Sequence, residues 1–139
     1  MKKPIIYEWI MEIRFSDLDP YWHLNSAIFL DIVNTSRLLF LSRKMNMPMD
    51  EIVKRGLSFY VKKANQEFIS EVRGLEQLRV TSHVNAVVGR SVIASYRIES
   101  IDGKTLFSKG ELEYFVLNFK SQAKEIPEWF LKLLFEETP

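Results

Sequence analysis

The sequence has no cysteine. Disulfides, thiolate metal sites and cysteine nucleophiles are excluded, and the absence fits a reducing compartment. Histidine is nearly as scarce, at two residues in 139. A metal site would have to draw on Asp17, Asp19 and His23, with His83 as the only other imidazole. That set is too small for an ordinary site, so no metal is expected. Net charge is lacking too: 19 basic residues against 18 acidic leave a formal +1. Such a balance gives no global attraction to nucleic acid, and no nucleic-acid partner is expected. No segment has the length and purity of a transmembrane helix. The start, MKKPIIYEWIMEIRF, is basic and then apolar, but Glu8 and Glu12 interrupt it and no small-residue cleavage site follows. Neither membrane insertion nor a signal peptide is expected, and the reading is a soluble, cytoplasmic protein. Repeats, low-complexity tracts and Pro/Gly/Ser linkers are also missing, so one domain over residues 1–139 is expected.

What is present is a well-stocked core. Hydrophobic residues make up 47% and aromatics 13%, which excludes disorder. Residues 5–14 alternate, with Tyr7, Trp9, Met11 and Ile13 on one side and Glu8, Glu12 and Arg14 on the other. That predicts a half-buried strand. Residues 26–45 predict a helix that is apolar nearly all round, and such a helix is usually covered on most sides. Asn25 or Ser26 is placed to cap it. A short helix over 49–55 closes at Gly56. Four strands follow: 57–69, irregular around Lys62, Lys63 and Ala64; 77–88; the strand carrying Val92 to Ile98; and 105–119, where Gly110 predicts a bend or bulge. Gly89-Arg90 and Asp102-Gly103 supply turns. Pro127 opens a last helix with Trp129, Phe130, Leu133 and Leu134. The expected fold is α+β, a long helix wrapped by a curved antiparallel sheet of about five strands. One helix cannot cover the edges of such a sheet, so a dimer that continues it is expected.

The stretch SDLDPYWHLNSA, residues 16–27, falls between the first strand and the buried helix. A helix N-terminus offers unpaired N–H groups and partial positive charge, which can hold a developing oxyanion. A carboxylate there can activate water or attack directly, and an imidazole four residues on can assist. That combination suits acyl transfer to water. The plainer reading is also open: Asp17 or Asp19 caps a turn, His23 is a surface residue and Asn25 caps the helix. His83 reads as a solvent-facing strand residue.

Arg14-x-x-Asp17-x-Asp19-x-x-x-His23-Leu24-Asn25, followed by Ala27, Phe29 and Arg37, resembles the signature of hotdog-fold thioesterases. The similarity is to the branch with 4-hydroxybenzoyl-CoA and acyl-ACP thioesterases, whose motif runs approximately R-x-x-D-x-D-x-x-G-H-V-N-N-A-x-Y. The order of elements agrees, up to Ile126-Pro127-Glu128 before the last helix. The resemblance implies the hotdog fold and hydrolysis of an acyl thioester of coenzyme A or acyl carrier protein. It implies Asp19 as nucleophile or general base and His23 as its assistant, with Glu67 near a strand glutamate of that branch. Asp17 would orient the turn, and Arg14 and Arg37 would form ion pairs holding the turn to the helix. Tyr21, Trp22, Asn25, Phe29, Phe59 and Tyr60 would meet the acyl part. Lys62 and Lys63, with Lys54 and Arg55, would meet phosphate, unless these are simply solvated charge pairs. No cofactor is implied, because water and side chains suffice. A homodimer or a tetramer of dimers is implied.

The sequence also departs from that pattern. Trp22 stands where the family has glycine, Tyr21 and Ser26 where it has asparagines, and Asn34 where it has an acidic helix residue. A tryptophan in place of glycine would narrow the pocket or move the oxyanion donors. Two other readings therefore stay open: a non-catalytic hotdog protein binding an acyl group or partner, and a dehydratase of acyl thioesters.

Overall fold

The computed structural model describes residues 2–120 and 125–137. Strand β1 spans Tyr7–Glu12, helix α1 Ile28–Lys44 and helix α2 Met49–Lys54. Strands β2 (Leu57–Phe68), β3 (Gln77–Val88), β4 (Ser91–Ser100) and β5 (Leu106–Asn118) follow, then a short helix α3, Glu128–Leu131. The five strands form one sheet in the order β1-β3-β4-β5-β2, and every pairing is antiparallel. This is the hotdog arrangement, with α1 held against the concave face.

Period-two alternation sets that face. Leu78, Val80, Ser82 and Val84 point inward from β3, and Val92, Ala94, Tyr96 and Ile98 from β4; all are buried. From α1, Phe29, Ile32, Val33, Arg37 and Leu41 meet them. Tyr7 stacks on Phe40 with ring centroids 4.5 Å apart. Its hydroxyl donates to the Leu133 carbonyl at 2.5 Å, which ties β1 to the chain after α3. Ile52, from α2, is fully buried. Gly56 then turns the chain into β2 with φ +93°, a left-handed value that glycine adopts without steric cost.

Register shifts interrupt β2 between Val61 and Lys63, β3 between Val84 and Ala86, and the β4–β5 pairing at Ile98/Glu99, where Phe107 is the extra residue on β5. An extra residue bends a strand and raises its twist, which is how a sheet comes to curve around a helix. The β2 shift falls where the sequence pattern is irregular. Gly110 differs from expectation. Its pairing runs without interruption, Gln66 on one side and Tyr96 on the other. A Cβ at 110 would lie 2.3 Å from the Asn65 carbonyl oxygen and 2.8 Å from Tyr96 Cε1. The glycine is needed for close approach of neighbouring groups, the second of the two uses of glycine inside a strand.

Gly110→Ala therefore forces backbone apart in mid-sheet. The expected loss is about 1–3 kcal/mol, read as a lowered urea midpoint. An unchanged midpoint would mean that β2 and β5 can separate locally at no cost.

Candidate active site

The loop between β1 and α1 is built on two aspartates with different tasks. After β1 a single tight turn at Phe15–Asp17 reverses the chain. Asp17 is buried, and its carboxylate accepts from the Arg14 backbone N–H at 2.9 Å and from Arg14 Nη2 at 3.1 Å. Its own carbonyl accepts from the Asn25 N–H at 3.0 Å. Asp17 thus joins the start of the loop to its end. Burial pushes its carboxyl up, but the hydrogen bonds and charge of Arg14 outweigh that and hold it below the usual carboxylate value.

Asp19 closes a tighter turn inside the first. Its N–H donates to the His23 carbonyl at 2.8 Å, and its carbonyl accepts from the Trp22 N–H at 3.0 Å. Carboxylate oxygen Oδ1 accepts two further backbone N–H groups, from Tyr21 at 2.8 Å and His23 at 3.1 Å. Oδ2 makes no hydrogen bond to a described residue. The turn forces Trp22 to φ +64°. An L-residue there pays about 1–2 kcal/mol of steric strain. The family's glycine at this place would carry none, so the position requires a left-handed backbone as well as room for substrate. Trp22 is exposed and rests edge-on to Phe15, centroids 5.9 Å apart.

The loop is anchored on the segment after β2. Leu24 N–H donates to the Val72 carbonyl at 2.8 Å, and Gly74 N–H to the Trp22 carbonyl at 2.9 Å. This pairing brings Glu71 to His23, with Oε2 3.3 Å from Nε2. A cleft of about 280 Å³ lies between, lined by Asp19, His23, Leu24, Ser26, Phe29, Phe68, Ile69, Ser70, Glu71 and Val72. One wall is carboxylate and imidazole. The other is apolar, where Phe68 packs edge-on to Phe29, centroids 5.2 Å apart, and stays half exposed with Ile69. Glu71, Phe68 and Ile69 were not legible as site residues, because nothing local marks a segment that reaches the motif only through tertiary pairing.

Of the sequence-predicted residues, Asp19, His23 and Phe29 meet in this cleft. Asn25 stands just outside it, accepting the Ala27 N–H at 3.0 Å, and Ala27 holds the cap position, one residue beyond Ser26 and two beyond Asn25. Tyr21 and Trp22 are exposed on the loop's outer side. Glu67 does not line this cleft. Without the register shift at Val61/Lys63 it would share the face of Phe59. With the shift, Gln66 and Phe68 point inward and Glu67 outward, beside His83, Arg97, Lys109 and Glu111. Lys62 is engaged by Glu113 at 3.7 Å and lies over the Phe115 ring, Lys63 is exposed, and Arg55 pairs with Glu51 at 3.1 Å. Phe59 and Tyr60 line a second cavity elsewhere. Arg37 corrects another expectation. It forms no ion pair with a described residue; its guanidinium is buried between the rings of Tyr7 and Tyr114, 4.9 and 5.2 Å from their centroids, and donates to Ser82 Oγ at 3.0 Å.

Residues 13–134 match the thioesterase-like superfamily. The chain belongs to that superfamily. No curated protein matches the sequence. Among solved structures, a 1,4-dihydroxy-2-naphthoyl-CoA thioesterase from Synechocystis superposes with TM-score 0.81 at 12% identity, over 93% of this chain and 95% of that one. A probable thioesterase from Bartonella henselae gives 0.76 at 15%, over 88% and 100%. A hypothetical protein from Staphylococcus aureus in complex with CoA gives 0.79 at 15%, over 96% and 84%. At these identities the likeness is one of fold. The reaction class that accompanies this thioesterase-like family is hydrolysis of thioesters. No helix among the described residues is long and apolar enough to cross a membrane.

The Asp17 clamp generates a pH prediction. A carboxyl held low in the folded state adds stability above its unfolded value, near 3.8, and loses it as pH falls through the folded value. Asp17→Asn should lower the melting temperature at neutral pH, and the gap to wild type should narrow as pH falls below about 4. A gap that stays constant down to pH 2 would mean that the charge of Asp17 adds nothing.

Proposed function

We propose that this chain is a single-domain enzyme that hydrolyses an acyl thioester of coenzyme A or acyl carrier protein. The observation that carries the reading is Asp19: one carboxylate oxygen is pinned by two backbone N–H groups, and the other is unpartnered at the wall of a half-apolar cleft. A carboxylate fixed in this way is preorganised for one task. Acting as general base, Asp19 would take a proton from water as the new C–O bond forms at the thioester carbonyl. The C–S bond then breaks, and the proton passes to the leaving thiolate, giving free acid and thiol. Acting as nucleophile, its carboxylate would bond to the carbonyl carbon as the C–S bond breaks and the thiolate leaves to take a proton, and water would then open the acyl anhydride to free acid and regenerated Asp19. His23, oriented by Glu71, would steady the thioester or relay the proton. Phe29, Phe68 and Ile69 would hold the first carbons of the acyl group. The N-terminus of α1 lies beside the cleft and favours charge on the carbonyl oxygen.

The open edge of β2, which pairs only with β5, supports assembly with a second copy along that strand. Lys63 on this edge would then stand near the shared groove, available to a phosphate. A catalytically silent acyl-binding protein is the second reading, and Trp22 favours it, since a strained residue stands in the Asp19 turn where the family has glycine.

Asp19→Asn retains the oxygen that accepts both backbone hydrogen bonds, so the fold should survive. Thiol release from short, long and aromatic acyl-CoAs and acyl carrier proteins should fall by at least about a hundredfold. An undiminished rate would remove Asp19 from the chemistry. Trp22→Gly relieves the left-handed strain and should raise turnover without loss of melting temperature. If both wild type and Trp22→Gly bind acyl-CoA saturably and release no thiol, the binding-protein reading stands.

A further inference from the structure

The second cavity, about 330 Å³, lies further along α1, beside its residues 34–41, between that helix, α2, the strands β2, β4 and β5, and α3. It shares no lining residue with the Asp19 cleft. Its walls are almost wholly apolar, from Leu38, Leu41, Met49, Phe59, Val116 and Phe130 among others. Leu38 and Tyr60, both partly exposed, stand at its mouth. At one place the wall is cationic. Arg37 is only 9% exposed, yet it is one of the residues that line the cavity. Nη1 is taken by Ser82; Nε and Nη2 have no acceptor among the described residues, and neither is so enclosed as to be a sealed, unsatisfied atom. Three residues earlier on the same helix face, Asn34 accepts the Tyr114 hydroxyl through Oδ1 at 2.7 Å, which leaves its amide N–H groups turned to donate. The polar end of this cavity therefore offers donors and positive charge, and no carboxylate among the described residues answers them.

A buried guanidinium is normally paired, because removal of its charge from water is costly unless an anion compensates. Here the compensation in the free protein is one hydroxyl and two ring faces, over which the cation sits. The planar fork of arginine matches a carboxylate through two parallel N–H···O bonds. Depth and lining suit a ligand whose remainder is apolar. We propose that this cavity is a binding site for a small amphipathic carboxylate, a medium-chain or fused-ring organic acid whose carboxylate meets Arg37 and Asn34 and whose apolar body fills the space towards Leu38 and Tyr60. The site stands independently of thioester hydrolysis.

The test uses the full-length protein, free of thioester, titrated with decanoate and 2-naphthoate and with the matched neutral compounds decanol and 2-naphthol. At least one acid should bind with unit stoichiometry by calorimetry, roughly ten- to a hundredfold tighter than its alcohol, the factor expected for hydrogen bonds to a charged group. Arg37→Met should erase that preference while the alcohol still binds. Because Arg37 is packed in the core, Asn34→Glu serves as a second variant: a carboxylate one helical turn from Arg37 should pair with it, raise the melting temperature of the free protein and abolish acid preference. Equal binding of acid and alcohol, binding of neither acid, or an Asn34→Glu variant that prefers acids as wild type does would each overturn the proposal.

Discussion

A helix with apolar side chains on nearly every face can be kept from water only by a sheet that bends around it. That requirement organises this protein. Three register shifts give the strands their curvature, and α1 is covered along Phe29, Ile32, Val33 and Leu41. The curvature in turn decides where polar groups can survive. They stand at the loop that leads into α1 and again midway along it, at Asn34, Ser36 and Arg37. The Asp19 cleft lies at the first place and the Arg37 cavity at the second.

The loop leading into α1 shows how the same constraint produces a site. The chain must leave β1 at the sheet edge and arrive on the helix axis, with two reversals in little space. Asp17 stabilises the outer reversal through Arg14 and the Asn25 N–H, and Asp19 the inner one through two N–H groups. Each carboxylate replaces secondary-structure partners that the turn denies to the backbone. Asp17 is fully occupied in this way and has nothing left for a substrate. Asp19 retains a free oxygen. Two residues of one type, two positions apart, are thus separated in role by hydrogen-bond accounting alone. The strain at Trp22 is the cost of the inner turn, held in place by pairing of the loop to Val72 and Gly74.

Arg37 shows the other side of burial. The family resemblance implied that it would hold the loop to the helix. Helix geometry puts it nine residues after Ile28, about two and a half turns, and turns it into the core, where Tyr7, Tyr114 and Ser82 receive it. Burial raises the Tyr7 phenol to about 12 despite the nearby cation, so it remains a neutral donor to Leu133 at ordinary pH.

Local pattern was enough for the elements and their order: the alternation of β1 and β3, the apolar helix, the irregularity at Lys62, and the motif at the helix start all depend on neighbours in the chain. So did the resemblance that names Asp19 and His23. What depended on distant partners was not legible. Gly110 reads as a bend but is a contact with Asn65 and Tyr96. Glu67 reads as a site carboxylate, but one extra residue in β2 turns it outward, and Glu71 reaches His23 only because the loops pair. By itself the sequence determined which segments are helix and strand and that two aspartates, a histidine and an asparagine crowd the loop before α1, because periodicity and turn residues act within a few positions. Only the tertiary structure decided which face each strand residue takes, which carboxylate meets the imidazole and where the unpaired guanidinium lies, because a single register shift or a loop docked across the sheet changes all of these without altering the local pattern.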